Sequence, residues 1–270
     1  MTQSTHAEWI SDGPVLLHYA NHVATITLNR PDAANGLNIE VMKALHSAVM
    51  RCHREPDVRV VHLRGAGKNF CAGGDVHEFA SKGEGLGDFL REVTAWLQMA
   101  VGALIRLDAV VIAEVQGFAA GGGGLGLVCA SDIVIASESS KFLAGATRVG
   151  MAPDAGSSVI LPYLVGFRRA MEIVLSNRIV DANEAAQIGL ITRMVPDDAL
   201  VEESAKVAAS YARGAPLAQS AAKRLLWNAL AVERALPEEA RTVSTLSATA
   251  DSREGLAAVI EKRRPLFRGS

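Results

Sequence analysis

The 270-residue chain has few of the features that define specialised protein classes. Aromatic residues make up 5% of it, and it holds only three cysteines, Cys52, Cys71 and Cys129. Three thiols cannot all pair, and their spacing matches no zinc motif, so a reduced protein with no structural disulfide and no metal site is expected. Charge of one sign is also missing. The net charge is −2, and the only basic run is Lys262-Arg263-Arg264, which argues against nucleic-acid binding. Long apolar runs are absent too. The stretch from Val110 to Val115 is too short to span a bilayer and contains Glu114. Residues Thr2 to Asp12 are polar and lack the apolar core of a signal peptide, so a cytoplasmic location is expected. What the chain does have is a 49% hydrophobic composition, enough for one large core.

Val23 to Leu28 reads as a strand rich in β-branched residues. Turn formers from Arg30 to Gly36 end it. Asn38 then has the position of an N-cap, with Val41, Met42, Leu45, Val49 and Cys52 at helical spacing behind it. Val58 to Leu63, Val110 to Val115 and Ile133 to Ala136 read as further strands. Each strand is followed by a glycine-rich turn or a helix, an alternation that indicates an α/β fold. After Val195 the character changes. Val207 to Ala212, Pro216 to Leu230 and Glu238 to Ala250 read as helices with no strand between them. An α/β core over 1–195 and a helical part over 196–270 are therefore expected, the latter needing a surface for its apolar faces.

Two glycine loops follow apolar strands: Gly65 to Asp75, and Gly117 to Gly126. Glycine there lets backbone N–H groups approach a ligand closely, and a helix start adds partial positive charge. Tight packing turns, a phosphate cradle and an oxyanion hole built from one N–H of each loop all compete as readings. No Walker lysine follows, and a dinucleotide fingerprint belongs in the first βα turn rather than mid-chain.

Five segments carry a resemblance. Ile26 to Pro31 with Asn35-Gly36-Leu37, Phe70 to Asp75, Gln116 to Asp132, Gly150 to Gly156, and Glu261 to Phe267 resemble, in that order, motifs of the crotonase (enoyl-CoA hydratase/isomerase) superfamily. The resemblance implies a spiral of ββα units, a C-terminal trimerisation region, and homotrimers or dimers of trimers. It also implies an acyl-CoA thioester substrate, a place in fatty-acid metabolism, and no cofactor beyond the coenzyme A of the substrate. Carried onto this sequence, the oxyanion donors are the N–H groups of Gly74 and Gly123. Gly122 is the alternative, because the glycine run is one residue longer than the family pattern. Coenzyme A contacts fall at Ala33, Ala34, Ala72 and Val76, with Lys262 and Phe267 reaching toward a neighbouring subunit's coenzyme. Trp96, Leu97, Phe118 and Ala146 are expected to line the acyl pocket.

The resemblance also shows what is missing. A hydratase of this family uses two glutamates, and their positions here hold Gly126 (Leu125 in the other register) and Ala146. Hydration needs an acid and a base, so efficient water addition is not expected. Asp154 remains. As a bland reading it caps the helix from Ser157 to Leu164. By resemblance it matches the catalytic aspartate of the 1,2-epoxyphenylacetyl-CoA isomerase and Δ3,Δ2-enoyl-CoA isomerase branch, which makes an isomerase with a single acid/base the leading reading. Alternatives are a dehalogenase or thioesterase with Asp154 as nucleophile, or a degenerate acyl-CoA-binding protein. The histidine that a dehalogenase places on the helix before the third strand is absent from Thr94 to Met99. Asp75 and Asp132 are read as loop and cap holders rather than as reacting groups.

Overall fold

The computed structural model describes residues 6–228 and 230–269. The main sheet has seven strands in the order β1-β2-β3-β4-β5-β7-β10. It opens with β1 (His6–Ile10), β2 (Val15–Ala20) and β3 (Val23–Leu28), an antiparallel meander. After α1 (Ile39–His53) the chain returns through β4 (Val60–Gly65), parallel to β3. Two helices, α2 (Val76–Ser81) and α3 (Leu86–Arg106), lead to β5 (Val110–Val115), parallel to β4. Every residue of β5 is buried, which explains why this strand is a continuous apolar run rather than an alternation.

The second sheet is small, with the order β6-β8-β9. β6 (Phe118–Ala120) runs straight into α4 (Gly121–Cys129). β7 (Ile133–Ser137) then rejoins the main sheet beside β5, and β8 (Lys141–Leu143) pairs parallel with β6. Next come α5 (Ser157–Val165), α6 (Phe167–Ser176), β9 (Val180–Asp181), α7 (Ala182–Gln187) and β10 (Arg193–Val195), which pairs with β7 at the sheet edge. The last elements are α8 (Leu200–Ala212), α9 (Pro216–Asn228), α10 (Val232–Ser247) and α11 (Ala250–Ile260). The fold is mixed α/β with a helical C-terminal part, as the sequence pattern indicates.

Asn38 caps α1, its side chain accepting from Val41 N at 3.0 Å. Val41, Met42, Leu45, Val49 and Cys52 are all buried on the sheet-facing side of that helix.

The C-terminal helices find their partner surface on the chain's own core. α8 covers the outer face of the sheet, where the buried Glu114 of β5 accepts from Ser204 and lies 3.2 Å from His62 Nε2. α9 is tied down by Asp132, at the turn before β7. Its carboxylate accepts from Val111 N at 2.7 Å, from Lys223 Nζ at 2.8 Å and from Trp227 Nε1 at 2.6 Å. Lys223 also donates to the carbonyls of Leu104 and Ala109. α10 packs along α3 and brings its own residues to the interior face. Among the described residues no helix is long and apolar enough to cross a membrane. No group of three His, Cys, Asp or Glu side chains there could hold a metal ion.

Removing the Asp132 carboxylate strands a buried ammonium, a change that costs about 3–5 kcal/mol. Asp132→Ala is therefore expected to lower the urea midpoint sharply, with a loss of that order in unfolding free energy. A loss under about 1 kcal/mol would show that the pair is dispensable.

Candidate active site

The first glycine loop is laced into the structure on both sides. Cys71 N donates to Phe118 O at 3.0 Å and Ala120 N donates to Cys71 O at 2.9 Å. On the other side Ala72 N donates to Ala34 O at 3.0 Å, Leu37 N to Gly73 O at 2.7 Å, and Asp75 N to Leu37 O at 3.0 Å. Asn35, buried and at φ +54°, holds the approach to this loop. Its amide donates to Ala66 O at 2.9 Å and Asn69 O at 2.8 Å, while its carbonyl accepts from Arg30 N at 2.9 Å. Asp75 ends the loop. It caps α2 through Glu78 N at 3.1 Å and pairs with Arg30 at 3.1 Å. Both Asp75 and Asp132 thus hold structure, as their sequence contexts indicate.

Backbone groups along an extended segment alternate in direction. Gly73 O and Asp75 N both meet Leu37, so the Gly74 N–H turns the other way, into a cavity that Gly74 lines. Gly121, Gly122 and Gly123 line the same cavity. They form the first turn of α4, and the first N–H groups of a helix have no intrahelical acceptor. The two glycine loops therefore present amide donors to one space of about 220 Å³. Both Gly122 and Gly123 border that space.

Most of the remaining wall is apolar. α3 contributes Leu90, Val93 and Leu97, and α1 with its approach contributes Leu37 and Met42. Val243 of α10 and Leu256 and Val259 of α11 close the far side. Only three lining residues have polar side chains: Thr94, Arg148 and Asp154. The Thr94 hydroxyl is already engaged, donating to Leu90 O at 2.8 Å. Among the described residues, Asp154 is the only carboxylate in the wall and no histidine lines it.

Asp154 does not cap α5 with its side chain. Its backbone carbonyl accepts from Ser157 N at 3.0 Å and from the Ser157 hydroxyl at 2.6 Å. The capping carboxylate is Glu239 of α10, which accepts from Gly156 N at 2.6 Å and from Ser158 N at 3.0 Å. The Asp154 side chain is thereby left free to face Gly122. A Cβ built on Gly122 would overlap Asp154 Oδ1, so glycine at this position is what lets the carboxylate lie against the helix start. Burial pushes the Asp154 carboxyl up to about 7, with a further push from the negative charge of Glu239. Cys71 has the opposite prospects. Burial pushes its thiol up to about 12, so no thiolate is available beside the first loop.

The other expected positions divide. Ala72, Val76, Leu97 and Ala146 line the cavity. Ala33 and Ala34 lie outside it, in the turn whose backbone anchors Ala72. Lys262 and Phe267 are exposed on the C-terminal tail. Two expectations are corrected. Trp96 is on the α1-facing flank of α3, 5.9 Å from the His46 ring and under Lys43. It is one residue from Leu97, and one helical step turns a side chain by about 100°. Phe118 stands at the outer end of β6 with Lys141 over its ring, beyond the cavity that Ala120 reaches. Glu239 carried no local signal, because it lies 83 residues from the amide it caps.

A family model described as enoyl-CoA hydratase/isomerase matches residues 18–270. The chain is 39% identical to a probable enoyl-CoA hydratase of Rhodobacter capsulatus, over 92% of this chain and 95% of that one. It is 33% identical to the 1,2-epoxyphenylacetyl-CoA isomerase of Escherichia coli, over 94% of this chain and 98% of that one. In three dimensions it resembles an enoyl-CoA hydratase of Mycobacterium avium subsp. paratuberculosis. The TM-score is 0.87 and the identity 30%, over 96% of this chain and all of that one. The chain belongs to the enoyl-CoA hydratase/isomerase family.

The raised Asp154 affinity for its proton has a thermodynamic sign. In the unfolded chain the group ionises near 3.8, whereas in the fold it does so near 7. Its contribution to stability is full below pH 4 and is lost as pH rises through 7. Asp154→Asn is therefore expected to be more stable than the parent at pH 8 by about 2–4 kcal/mol, with the gain vanishing at pH 4. Denaturant titrations at the two pH values check this, and equal stabilities at pH 8 would contradict it.

Proposed function

We propose that the protein is an enoyl-CoA isomerase that moves a double bond between the β,γ and α,β positions of an acyl-CoA thioester, with Asp154 as its single acid/base. The observation that carries this reading is a cavity with one carboxylate, no histidine and two sets of backbone amide donors. Such a site is equipped to form an enolate and poorly equipped to activate water.

In the proposed reaction the thioester oxygen lies between the Gly74 N–H and the N–H of Gly123 or Gly122. Asp154 removes a Cα proton, the electron pair moves onto the thioester oxygen as the dienolate forms, and the amide donors stabilise the charge. Donors of this kind are worth about 3–4 kcal/mol each where they have been removed. The protonated Asp154 then returns the proton at Cγ and the double bond settles at Cα–Cβ. A carboxyl that ionises near 7 can hold and release a proton at neutral pH with little free-energy mismatch. The apolar wall receives the acyl chain, and Ala72 and Val76 border the path of the coenzyme. Apolar side chains left bare on α5, α6 and α9, among them Tyr163, Phe167, Leu175 and Leu225, support assembly into trimers or dimers of trimers.

The hydratase positions support the same reading. Ala146 faces the cavity without a carboxylate. A Cβ on Gly126 would overlap the Ala155 side chain, so Gly126→Glu is expected to perturb packing without producing water addition to a 2-enoyl-CoA. Hydration by that variant above the parent's level would refute the packing argument. The direct test is Asp154→Asn. It should abolish conversion of 3-enoyl-CoA to 2-enoyl-CoA, and exchange of the Cα proton in heavy water, by at least three orders of magnitude, while still binding the CoA ester. Unchanged turnover would overturn the proposal. An ester trapped on the Asp154 carboxylate would replace proton transfer with nucleophilic attack.

A further inference from the structure

Glu239 has no part in the proton transfers above, yet it holds the arch that bears the reacting carboxylate. Only 5% of its surface is exposed. Its two oxygens clamp Gly156 N at 2.6 Å and Ser158 N at 3.0 Å, two and four residues beyond Asp154. Gly156 itself is at φ +78°, a conformation that fixes the direction of the arch. The negative charge of Glu239 also bears on Cys129, at the end of α4. The carboxylate thus sits between α4 and the Asp154 arch.

Burial raises the Glu239 carboxyl as well, against the lowering pull of its bonds from Ser158 and Gly156. α4 carries no charge, and α5 carries none. The short turn at Ala146–Val149 brings Arg148 to the cavity wall. On α10, Glu238 and Arg241 pair with each other at the surface. On α11, Glu254 and Asp251 are occupied by the C-terminal tail, through Arg263 and the Arg268 backbone. On α3, Asp88 pairs with Arg91, and Glu92 pairs with Lys43. On α2, Glu78 pairs with Lys82, and His77 is the remaining titratable group. Among the described side chains, Glu239 is the charged group bonded directly to the segment after Asp154, with Arg148 on the wall of the same cavity.

We propose that Glu239 is a positioning residue for the enolate chemistry, orienting Asp154 through its clamp on Gly156 and Ser158 and setting a second buried carboxyl group behind the arch. The proposal rests on the reading of Asp154 as the acid/base. It makes the C-terminal helical part a contributor to proton affinity at the site as well as to its wall. Two carboxyl groups in one buried region share their titration, so the second to ionise does so against the charge of the first.

The test is the pH dependence of kcat/KM on a 3-enoyl-CoA for the parent, Glu239→Gln and Glu239→Asp. The parent is expected to gain activity along a limb near pH 7 as Asp154 loses its proton. In Glu239→Gln that limb should move down by about one pH unit. Glu239→Asp keeps the charge and should keep the limb at the parent's position. A uniform fall in kcat for Glu239→Gln with the limb unmoved would reduce Glu239 to a helix cap and overturn the proposal. Should Glu239→Gln fail to fold, carbon-13 NMR of the aspartate carboxyls in the parent decides, with Asp154→Asn supplying the assignment. A raised titration of Asp154 in two steps supports the coupling, and a single step near 4 overturns it. If Asp154→Asn stays active, the isomerase reading fails, while the NMR titration still reports on the pair.

Discussion

The short backbone ladder around Cys71 to Asp75 is the interaction on which the site depends. Five main-chain hydrogen bonds join this loop to the Ala34–Leu37 segment on one side and to β6 on the other. β6 leads without a break into α4, so the ladder sets the glycines of the helix start beside Gly74. Backbone pairing of this kind tolerates side-chain variation, yet it fails if one strand shifts by a residue. Asn35 adds side-chain bonds that keep the turn before the loop in register. Amide donors placed by a ladder are fixed before any ligand arrives, which is what electrostatic preorganisation requires.

From this frame the chemistry follows by subtraction. Glycine at 122 leaves room for a carboxylate against the helix start, and the carboxylate comes from Asp154. Burial and the negative charge of Glu239 make that group hold its proton at a pH where ordinary aspartates have lost theirs. The arrangement costs stability, because the fold must keep a group dry that water would ionise. In the proposed reaction that cost falls on the reacting residue, a common trade between stability and activity.

Much of the architecture was legible in the sequence, for reasons particular to each element. β5 was visible because a strand buried on both faces is apolar at every position. α1 was visible because Asn38 precedes five apolar residues at helical spacing. The short strands β6, β8 and β9 were not, since two or three residues carry too little pattern to read. At the site, Leu97 and Ala146 line the cavity, whereas Trp96 and Phe118 do not. Their error is one of phase and reach: neighbouring residues on one helix, or the two ends of one strand, have different surroundings that composition does not record. Glu239 was illegible for another reason. Its meaning lies in a contact across 83 residues, and no local window contains both partners.

The cavity wall is finished by Val243, Leu256 and Val259, and the Asp154 arch is clamped by Glu239. All four belong to the last quarter of the chain. During synthesis, then, the ladder and both glycine loops leave the ribosome well before the residues that enclose them. A nascent chain in that interval has amide donors and an aspartate open to water, with nothing to hold the carboxyl dry. The dry surroundings of Asp154 come into being only when α10 and α11 dock, and until then its carboxyl is that of an ordinary surface aspartate.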